Sequence, residues 1–330
     1  MKMIATLFVP FLLALLTTPL FRRLALRYRV YAHTNDRTVH SGSVPKLGGA
    51  AIICAFLAGL WLLGLYMPEW SLFANAKVYS LALAALVVFI LGFLDDKFVL
   101  DCNIKFFVEI VVAVFLSTIG GWRVASLILP GMAAIDLGFF SYPLTVLWIV
   151  GLSNAVNLID GLDGLASGIV ICAALINAAI GLLFGNALSI YAGLLVAGAV
   201  AGFLAYNINP ASIFMGDSGS LTLGMILACL TIDAAAISPG QVALFVPVVL
   251  FGIPLLDTVL AIVRRLRRGI HPFHADQEHI HHRLVRLGLS QPGAALFMVG
   301  MSLILGILAF LLAHGIHTDL ELLSCLQLFY

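Results

Sequence analysis

The stretch Val78–Asp101, VYSLALAALVVFILGFLDDKFVLD, decides the fold of this chain. It runs without a charge from residue 78 to residue 94 and then places Asp95 and Asp96 side by side. A helix of about 20 mainly apolar residues crosses the hydrocarbon core of a bilayer. Carboxylates next to hydrocarbon are costly and usually serve a function. The stretch therefore predicts a membrane helix that ends in a functional pair of carboxylates.

The composition of the whole chain is that of a polytopic membrane protein. Of its 330 residues, 62% are hydrophobic and 10% are charged, whereas a soluble domain carries about 25% charged residues. The five cysteines are scattered without a CxxC pair, which argues against a disulfide framework or a zinc site. We predict an all-α polytopic membrane protein with a single domain over residues 1–330, and no nucleic acid partner.

The apolar stretches predict ten transmembrane helices and an orientation. With the N-terminus outside, the loops assigned to the cytoplasm and their margins hold 14 of the 17 lysines and arginines, as the positive-inside rule requires. A span within 124–140 would separate the acidic motifs and is rejected, while an eleventh span at the C-terminal tail stays open. The ten spans lie near 3–21, 46–66, 78–94, 104–120, 143–158, 165–185, 188–206, 218–237, 241–263 and 294–315.

This orientation places five aspartates on the cytoplasmic side: Asp95, Asp96, Asp160, Asp163 and Asp217. The adjacent pair repels itself, so it would serve as a base with a tuned pKa or share a cation. A solvated loop end is the alternative interpretation of the pair. Carboxylate oxygens are the ligands that Mg²⁺ takes in phosphate chemistry.

Two glycine-rich motifs follow further along the chain. In 154–168, NAVNLIDGLDGLASG, the residues Asn157, Asp160 and Asp163 recur every third position and would share one face if the segment is helical; a polar turn is the alternative. Asn207 precedes the motif 213–220, IFMGDSGS, whose turn would offer backbone N–H groups to an anion. Asp217 would otherwise simply cap the next helix.

The last long loop combines arginines and histidines. Arg264, Arg265, Arg267 and Arg268 are either a topology signal or a site for anionic headgroups. The histidines of HADQEHIHH (274–282) fit a pyrophosphate better than a transition metal, because no cysteine accompanies them and oxygen ligands dominate elsewhere. These residue types together indicate a magnesium-assisted phosphoryl transfer beside an apolar groove for a lipid.

Four motifs occur in one order along nearly the whole chain: DDK, NLIDGLDGLASG, NINPASIFMGDSGS and HADQEHIHH. In them the chain resembles the polyprenyl-phosphate N-acetylhexosamine-1-phosphate transferase superfamily, and its last loop is most similar to the bacterial undecaprenyl-phosphate N-acetylglucosaminyl-1-phosphate transferases. The resemblance implies transfer from a UDP-N-acetylhexosamine to undecaprenyl phosphate, with release of UMP, at the inner face of the bacterial cytoplasmic membrane. The product would start O-antigen, enterobacterial common antigen or a teichoic acid linkage.

The resemblance also implies a cofactor and leaves alternatives. The cofactor would be Mg²⁺, with Mn²⁺ as a substitute, and a homodimer stays open. The alternatives are a peptidoglycan translocase that uses UDP-MurNAc-pentapeptide and, outside the family, a secondary transporter. A transporter usually binds its substrate near the midplane and often shows two similar halves, and neither feature is visible here.

Roles for individual residues follow from the same resemblance. Asp217 would bind the metal directly. Asp95 and Asp96 would be the paired aspartates, one of which deprotonates the lipid phosphate, and Asp96 would also be a metal ligand. The other catalytic candidates are Asp160, Asp163 and His281. The substrate-binding candidates are Lys46, Lys105, Asn157, Asn207, Arg265, His279 and His282.

Overall fold

The computed structural model describes residues 2–31, 44–71, 74–128, 134–238, 240–269 and 278–327. This part of the chain is a bundle of twelve α-helices, and two short 3₁₀ turns, Pro68–Trp70 and Gly138–Phe140, join some of them. The helices are α1 Lys2–Arg27, α2 Gly48–Tyr66, α3 Ala76–Phe98, α4 Cys102–Thr118, α5 Ser141–Ile159, α6 Leu165–Phe184, α7 Ala187–Asn207, α8 Asp217–Ala234, α9 Phe245–Leu250, α10 Gly252–Arg267, α11 Ile280–Arg286 and α12 Gln291–Gln327.

Seven helical segments in the described ranges are long and apolar enough to cross a membrane. They correspond to α1, α2, α3, α5, α6, α7 and α12, so the chain is a multi-pass membrane protein by this measure and the predicted count of ten is not confirmed. The three predicted spans outside this set fall on α4, which has 17 residues, on α8, which has 18, and on the α9–α10 pair.

The span predicted near 241–263 is not one unbroken helix. The helix is interrupted at Phe251, and α10 starts anew at Gly252 with Pro254 in its first turn, where the missing N–H of proline is tolerated. Along α10, Asp257, Ala261 and Arg265 are buried. Their spacing of four residues makes one inward face, which carries two charged groups.

Helix α8 is the centre of the bundle. Every residue from Ser218 to Ala234 is buried, and α8 packs against α2, α3, α5, α6 and α7. The approach to α3 is closest at Gly92, where an added Cβ would lie 2.5 Å from the backbone carbonyl of Asp217. This contact brings the end of α3, with its carboxylates, against the start of α8.

A small sheet at the other end of α8 was missed by the all-helical prediction. Its strands are β1 Ser126–Leu127, β2 Ile135–Asp136, β3 Ala236–Ser238 and β4 Gln241–Val242, in the order β2-β1-β4-β3. The β1–β4 pairing is parallel and the other two are antiparallel. These strands agree with the rejection of a span within 124–140. Helix α12 runs unbroken to Gln327, so the tail adds no separate eleventh span.

Candidate active site

The carboxylate of Asp96 holds the start of α8 in place. The backbone N–H groups of Asp217 and Ser218 donate to its two oxygens over 2.9 and 3.0 Å. These N–H groups have no acceptor within α8 itself, and the positive end of the helix dipole favours the negative charge. Gly216 precedes them with φ +75°, and a Cβ there would lie 2.5 Å from Asp96 Oδ2. Only glycine fits this turn without displacing the carboxylate.

Two lysines flank the carboxylate of Asp217. Lys46 Nζ lies 3.4 Å from Asp217 Oδ1 and 3.0 Å from Asp96 Oδ1. Lys105 Nζ lies 3.6 Å from Asp217 Oδ2 and 2.7 Å from Asp95 Oδ2. The Asp217 side chain is 20% exposed, against 9% for Asp95 and 0% for Asp96. Asp217 is therefore the carboxylate of this cluster that is most open to a ligand.

Local backbone structure brings both lysines to the cluster. Lys46 pairs with Phe214 in an isolated bridge just before α2. Burial opposes the charge of Lys46, but Asp217 and Asp96 outweigh it and hold its pKa above the ordinary value. Val99 ends α3 in the left-handed conformation, φ 54°. The chain then reverses into α4, whose first turn carries Lys105 back toward the end of α3.

The expectation that Asn157, Asp160 and Asp163 share a helix face is wrong. Helix α5 ends at Ile159, Asp160 follows it, and Gly164, at φ +74°, precedes α6. Glycine makes this left-handed position inexpensive, so the segment turns here instead of continuing as a helix. Asp163 consequently faces a different set of partners from Asn157 and Asp160.

Asn157 and Asp160 lie toward the carboxylate cluster. Asn157 Nδ2 donates to Ser220 Oγ over 2.9 Å, and its side chain also hydrogen-bonds Asp217. Burial raises the pKa of Asp160 to about 7, against the charge of Lys46 and with the support of Asp217 and Asp96. These two residues therefore belong to the same polar cluster as the lysines and the carboxylates.

Asp163 and Asn207 instead brace the loop between α7 and α8. Asp163 Oδ2 accepts hydrogen bonds from Asn209 Nδ2 and from the Ala211 N–H, at 3.0 and 2.9 Å. Asn207 is 3% exposed; its Oδ1 accepts from the Gly164 N–H and from Ser167 Oγ, and its Nδ2 donates to Ile213 O. Both residues therefore hold the loop between α7 and α8 in position, and their predicted roles toward the substrate stay predictions.

The histidines of α11 pack against the turn after α5. The rings of His279 and His281 are parallel within 3° with centroids 5.7 Å apart, and the His281 and His282 centroids are 4.2 Å apart. A Cβ at Gly161 would lie 2.2 Å from His281 Nε2, so the imidazole touches the backbone beside Asp160. Burial lowers the pKa of His281 to about 3, with help from His282 and His279 and against Asp257. Residues 270–277, which include the start of the histidine motif, lie outside the described residues.

Three more buried charged residues belong to the elements around the candidate site: Arg265, Asp257 and Glu109. Arg265 is 7% exposed on the inward face of α10, two turns from Asp257. Asp257 bonds to His279, and Glu109, one turn from Lys105 on α4, accepts from Asn154 Nδ2. Neither Glu109 nor Asp257 was among the site residues predicted from the sequence. Their signal was present, since each is a lone acid within an apolar stretch.

The donor set fits a magnesium ion that is shared with a substrate. In the part of the chain that the structure describes, no group of three or more His, Cys, Asp or Glu is arranged to hold a metal. Mg²⁺ does not need such a cage, because it usually takes one or two carboxylates and completes its shell with water and phosphate oxygens. Asp217 offers a hard, partly exposed carboxylate of this kind.

Comparison with known proteins places the chain in a family. The model of glycosyl transferase family 4 matches residues 78–235, which include all five motif aspartates. A Bacillus subtilis (strain 168) protein named "Probable undecaprenyl-phosphate N-acetylglucosaminyl 1-phosphate transferase" is 34% identical over 312 residues, 94% of this chain and 85% of the relative. This chain belongs to glycosyl transferase family 4.

Other family members are similar over most of their length. A Mycobacterium tuberculosis (strain ATCC 25618 / H37Rv) protein named "Decaprenyl-phosphate N-acetylglucosaminephosphotransferase" is 35% identical over 322 residues, 89% of this chain and 78% of the relative. An Escherichia coli (strain K12) protein named "Undecaprenyl-phosphate alpha-N-acetylglucosaminyl 1-phosphate transferase" is 29% identical over 278 residues, 82% and 72% of the two chains. The resemblance stated from the motifs is thereby confirmed.

Proposed function

We propose that this family 4 glycosyl transferase moves N-acetylglucosamine 1-phosphate from UDP-N-acetylglucosamine to undecaprenyl phosphate. The products are undecaprenyl-diphosphate N-acetylglucosamine and UMP. One observation carries the proposal: the Asp217 carboxylate lies between Lys46 and Lys105 at the start of α8, within the region that the family model covers. The names of the relatives supply the undecaprenyl phosphate and the N-acetylglucosaminyl 1-phosphate group, and the motif resemblance implies the UDP donor.

The reaction is one displacement at phosphorus. An oxygen of the lipid phosphate attacks the phosphorus that bears the sugar, and the bridging oxygen leaves with UMP. Lys46 and Lys105 supply positive charge to the phosphate oxygens, because phosphoryl transfer depends mainly on positioning and electrostatic stabilisation. We favour this single step over a covalent aspartyl-phosphate intermediate. Asp95, bonded to Lys105 at 2.7 Å, keeps that lysine at the site.

We propose Mg²⁺ as the cofactor, with Asp217 as its direct protein ligand. Four carboxylates, Asp95, Asp96, Asp160 and Asp217, meet two lysines in this cluster. The excess of negative charge would repel an anionic diphosphate unless a cation were added. When bound, Mg²⁺ supplies that charge and polarises the phosphoryl oxygens. Both oxygens of Asp96 accept hydrogen bonds from the N–H groups at the start of α8, so Asp96 holds Asp217 in position.

We also propose ten membrane crossings, with the site at the cytoplasmic face of the bacterial cytoplasmic membrane. Helices α4, α8 and the α9–α10 pair would complete the seven apolar segments. The three lysines and arginines assigned outside are Lys2, Lys77 and Arg123. Lys77 pairs with Asp233 at the far end of α8, 2.6 Å away, about 25 Å along the helix from Asp217. All residues of the cluster come from one chain, so a homodimer is not required.

The proposal is tested by UMP release from purified protein with Mg²⁺, undecaprenyl phosphate and a panel of UDP-sugars. Release with UDP-N-acetylglucosamine that depends on both lipid and metal is the expected result. Release with UDP-MurNAc-pentapeptide alone would assign the protein to peptidoglycan synthesis instead. No release with any donor would contradict the transferase and favour a transporter.

A further inference from the structure

Asp257 is a buried carboxylate for which the proposed reaction has no use so far. It lies in α10 within the apolar sequence Ile253–Val263, and it is 1% exposed. A carboxylate in such a place is expensive unless a specific partner compensates for it. We therefore expect Asp257 to have a specific role, and the residues that it binds indicate which one.

Both oxygens of Asp257 bind the segment that carries the histidines. Oδ2 lies 2.8 Å from His279 Nδ1, and Oδ1 accepts the Ile280 N–H over 2.9 Å. Ile280 is the first residue of α11, and His279 precedes it with a backbone that is extended, φ −61° and ψ 154°. One side chain of α10 thus fixes both the start of α11 and the imidazole before it.

We propose that Asp257 is a positioning residue that acts through His279, an inference that rests on the proposed transferase function. The carboxylate accepts a hydrogen bond from Nδ1–H, so it selects the tautomer in which Nδ1 carries the hydrogen. Nε2 is then the ring atom left for the substrate. In the ring that carries a proton on both nitrogens, Nε2 is an N–H donor, and an N–H donor suits an oxygen of the diphosphate.

A merely structural role would need only one of the two contacts. The hydrogen bond to the Ile280 N–H by itself would tie α11 to α10. The second bond is to a ring of the histidine cluster, and His281 in that cluster touches Gly161, the residue after Asp160. Asp257 is therefore linked, through the stacked rings of His279 and His281, to the turn that carries Asp160.

The test is a double-variant cycle of kcat with Asp257→Asn, His279→Gln and both together. Asparagine keeps the shape and an acceptor for the Ile280 N–H, but its amide donates to Nδ1 and selects the wrong tautomer. We expect kcat to fall about 10- to 100-fold, the size usual when the carboxylate that orients a functional histidine is removed. The double variant should be no slower than His279→Gln, because Asp257 acts through that ring. Asp257→Glu, which keeps a carboxylate, should recover part of the loss.

Asp233→Asn is the matched control. Asp233 is also a buried, hydrogen-bonded aspartate, held by Lys77 and Ser189 at the opposite end of α8. Its substitution should lower the melting temperature and leave kcat of the folded protein unchanged. Size-exclusion profiles and melting temperatures confirm that each variant is folded. If Asp257→Asn does not fold, Asp257→Ser, which also lacks the carboxylate, takes its place in the cycle.

Two results would overturn the inference while wild-type turnover stands. The first is an Asp257→Asn variant with unchanged kcat and only a lower melting temperature. The second is a double variant whose loss equals the product of the two single losses, because Asp257 would then act independently of His279. Absence of turnover in the wild type would instead contradict the proposed function.

Discussion

Acidification should loosen the packing of α11 against the turn after α5. The reason is that His281 takes up a proton at mildly acidic pH only when it has left its buried position. Its imidazole is 1% exposed, lies against Gly161 and faces His279, His282 and Asp257. Burial and the two neighbouring imidazoles depress the pKa of His281 to about 3 in the folded protein, whereas an exposed histidine titrates at about 6.5. A ring that is released at pH 5 is therefore protonated, and the packed ring is not.

The direction and the size of the pH effect on the packing of α11 follow from this difference in pKa. Above about pH 6.5 both states are neutral and pH has no effect through His281; below it, the detached state gains protons and the packed state loses stability until about pH 3. At pH 5.0 the loss is about 2 kcal/mol, or about a 30-fold larger opening constant. Asp160, whose pKa is raised, acts in the opposite sense, so the comparison needs a variant that lacks only the histidine.

Hydrogen exchange of the peptide 280–286, corrected for intrinsic rates, measures this opening directly. Between pH 7.5 and pH 5.0 the opening constant of the wild type should rise about 30-fold more than that of His281→Gln. Equal changes in the two proteins would refute the reasoning, because His281 would then titrate in the packed state as it does in water.

Three further predictions concern the site and the topology. Gly216→Ala should destabilise the protein by about 1–2 kcal/mol or more and reduce turnover, because the new Cβ strikes Asp96. The control is Gly185→Ala, which is also at positive φ but has open space around it. It should lower the melting temperature only by the effect of the backbone strain. Asp96→Asn should lower both the melting temperature and kcat, since it weakens the ion pair with Lys46. The control Asp101→Asn preserves a helix cap and should change neither quantity. An Asp96→Asn variant with unchanged melting temperature and kcat would contradict the anchoring role of Asp96. Single cysteines should react with impermeant reagents from the cytoplasmic side at 97, 212 and 268, and from the outside at 66 and 139; any reversal would contradict the ten-crossing topology.

The sequence predicted the parts of the site that depend on where apolar stretches end. Asp95, Asp96 and Asp217 are brought together because α3 and α8 pack closely and their polar ends coincide, which hydrophobicity and charge bias indicate in advance. The two lysines were predicted from the resemblance to the family. The ion pairs that these lysines form with three carboxylates depend on the left-handed turn at Val99 and on the bridge at Lys46. No periodicity in the sequence specifies either feature.

Other parts depend on tertiary contacts that the pattern does not contain. The regular spacing of Asn157, Asp160 and Asp163 resembles a helix face, but the glycines end the helix and Asp163 turns away to bind the loop at 209–211. The small sheet is built from strands of two or three residues, too short to show alternation. The clamp of Asp257 on His279 joins residues 22 positions apart and was hidden inside a stretch that was assigned to the membrane.

The most direct test of the central claim is the yield of lipid-linked product from UDP-[¹⁴C]N-acetylglucosamine with Asp217→Asn, beside the wild type and Asp101→Asn. If the carboxylate between Lys46 and Lys105 is the transfer centre, Asp217→Asn should lose at least about 10²-fold in product formation while its elution profile stays that of the folded protein and Asp101→Asn remains active. Product formation by Asp217→Asn near the wild-type rate would contradict the account.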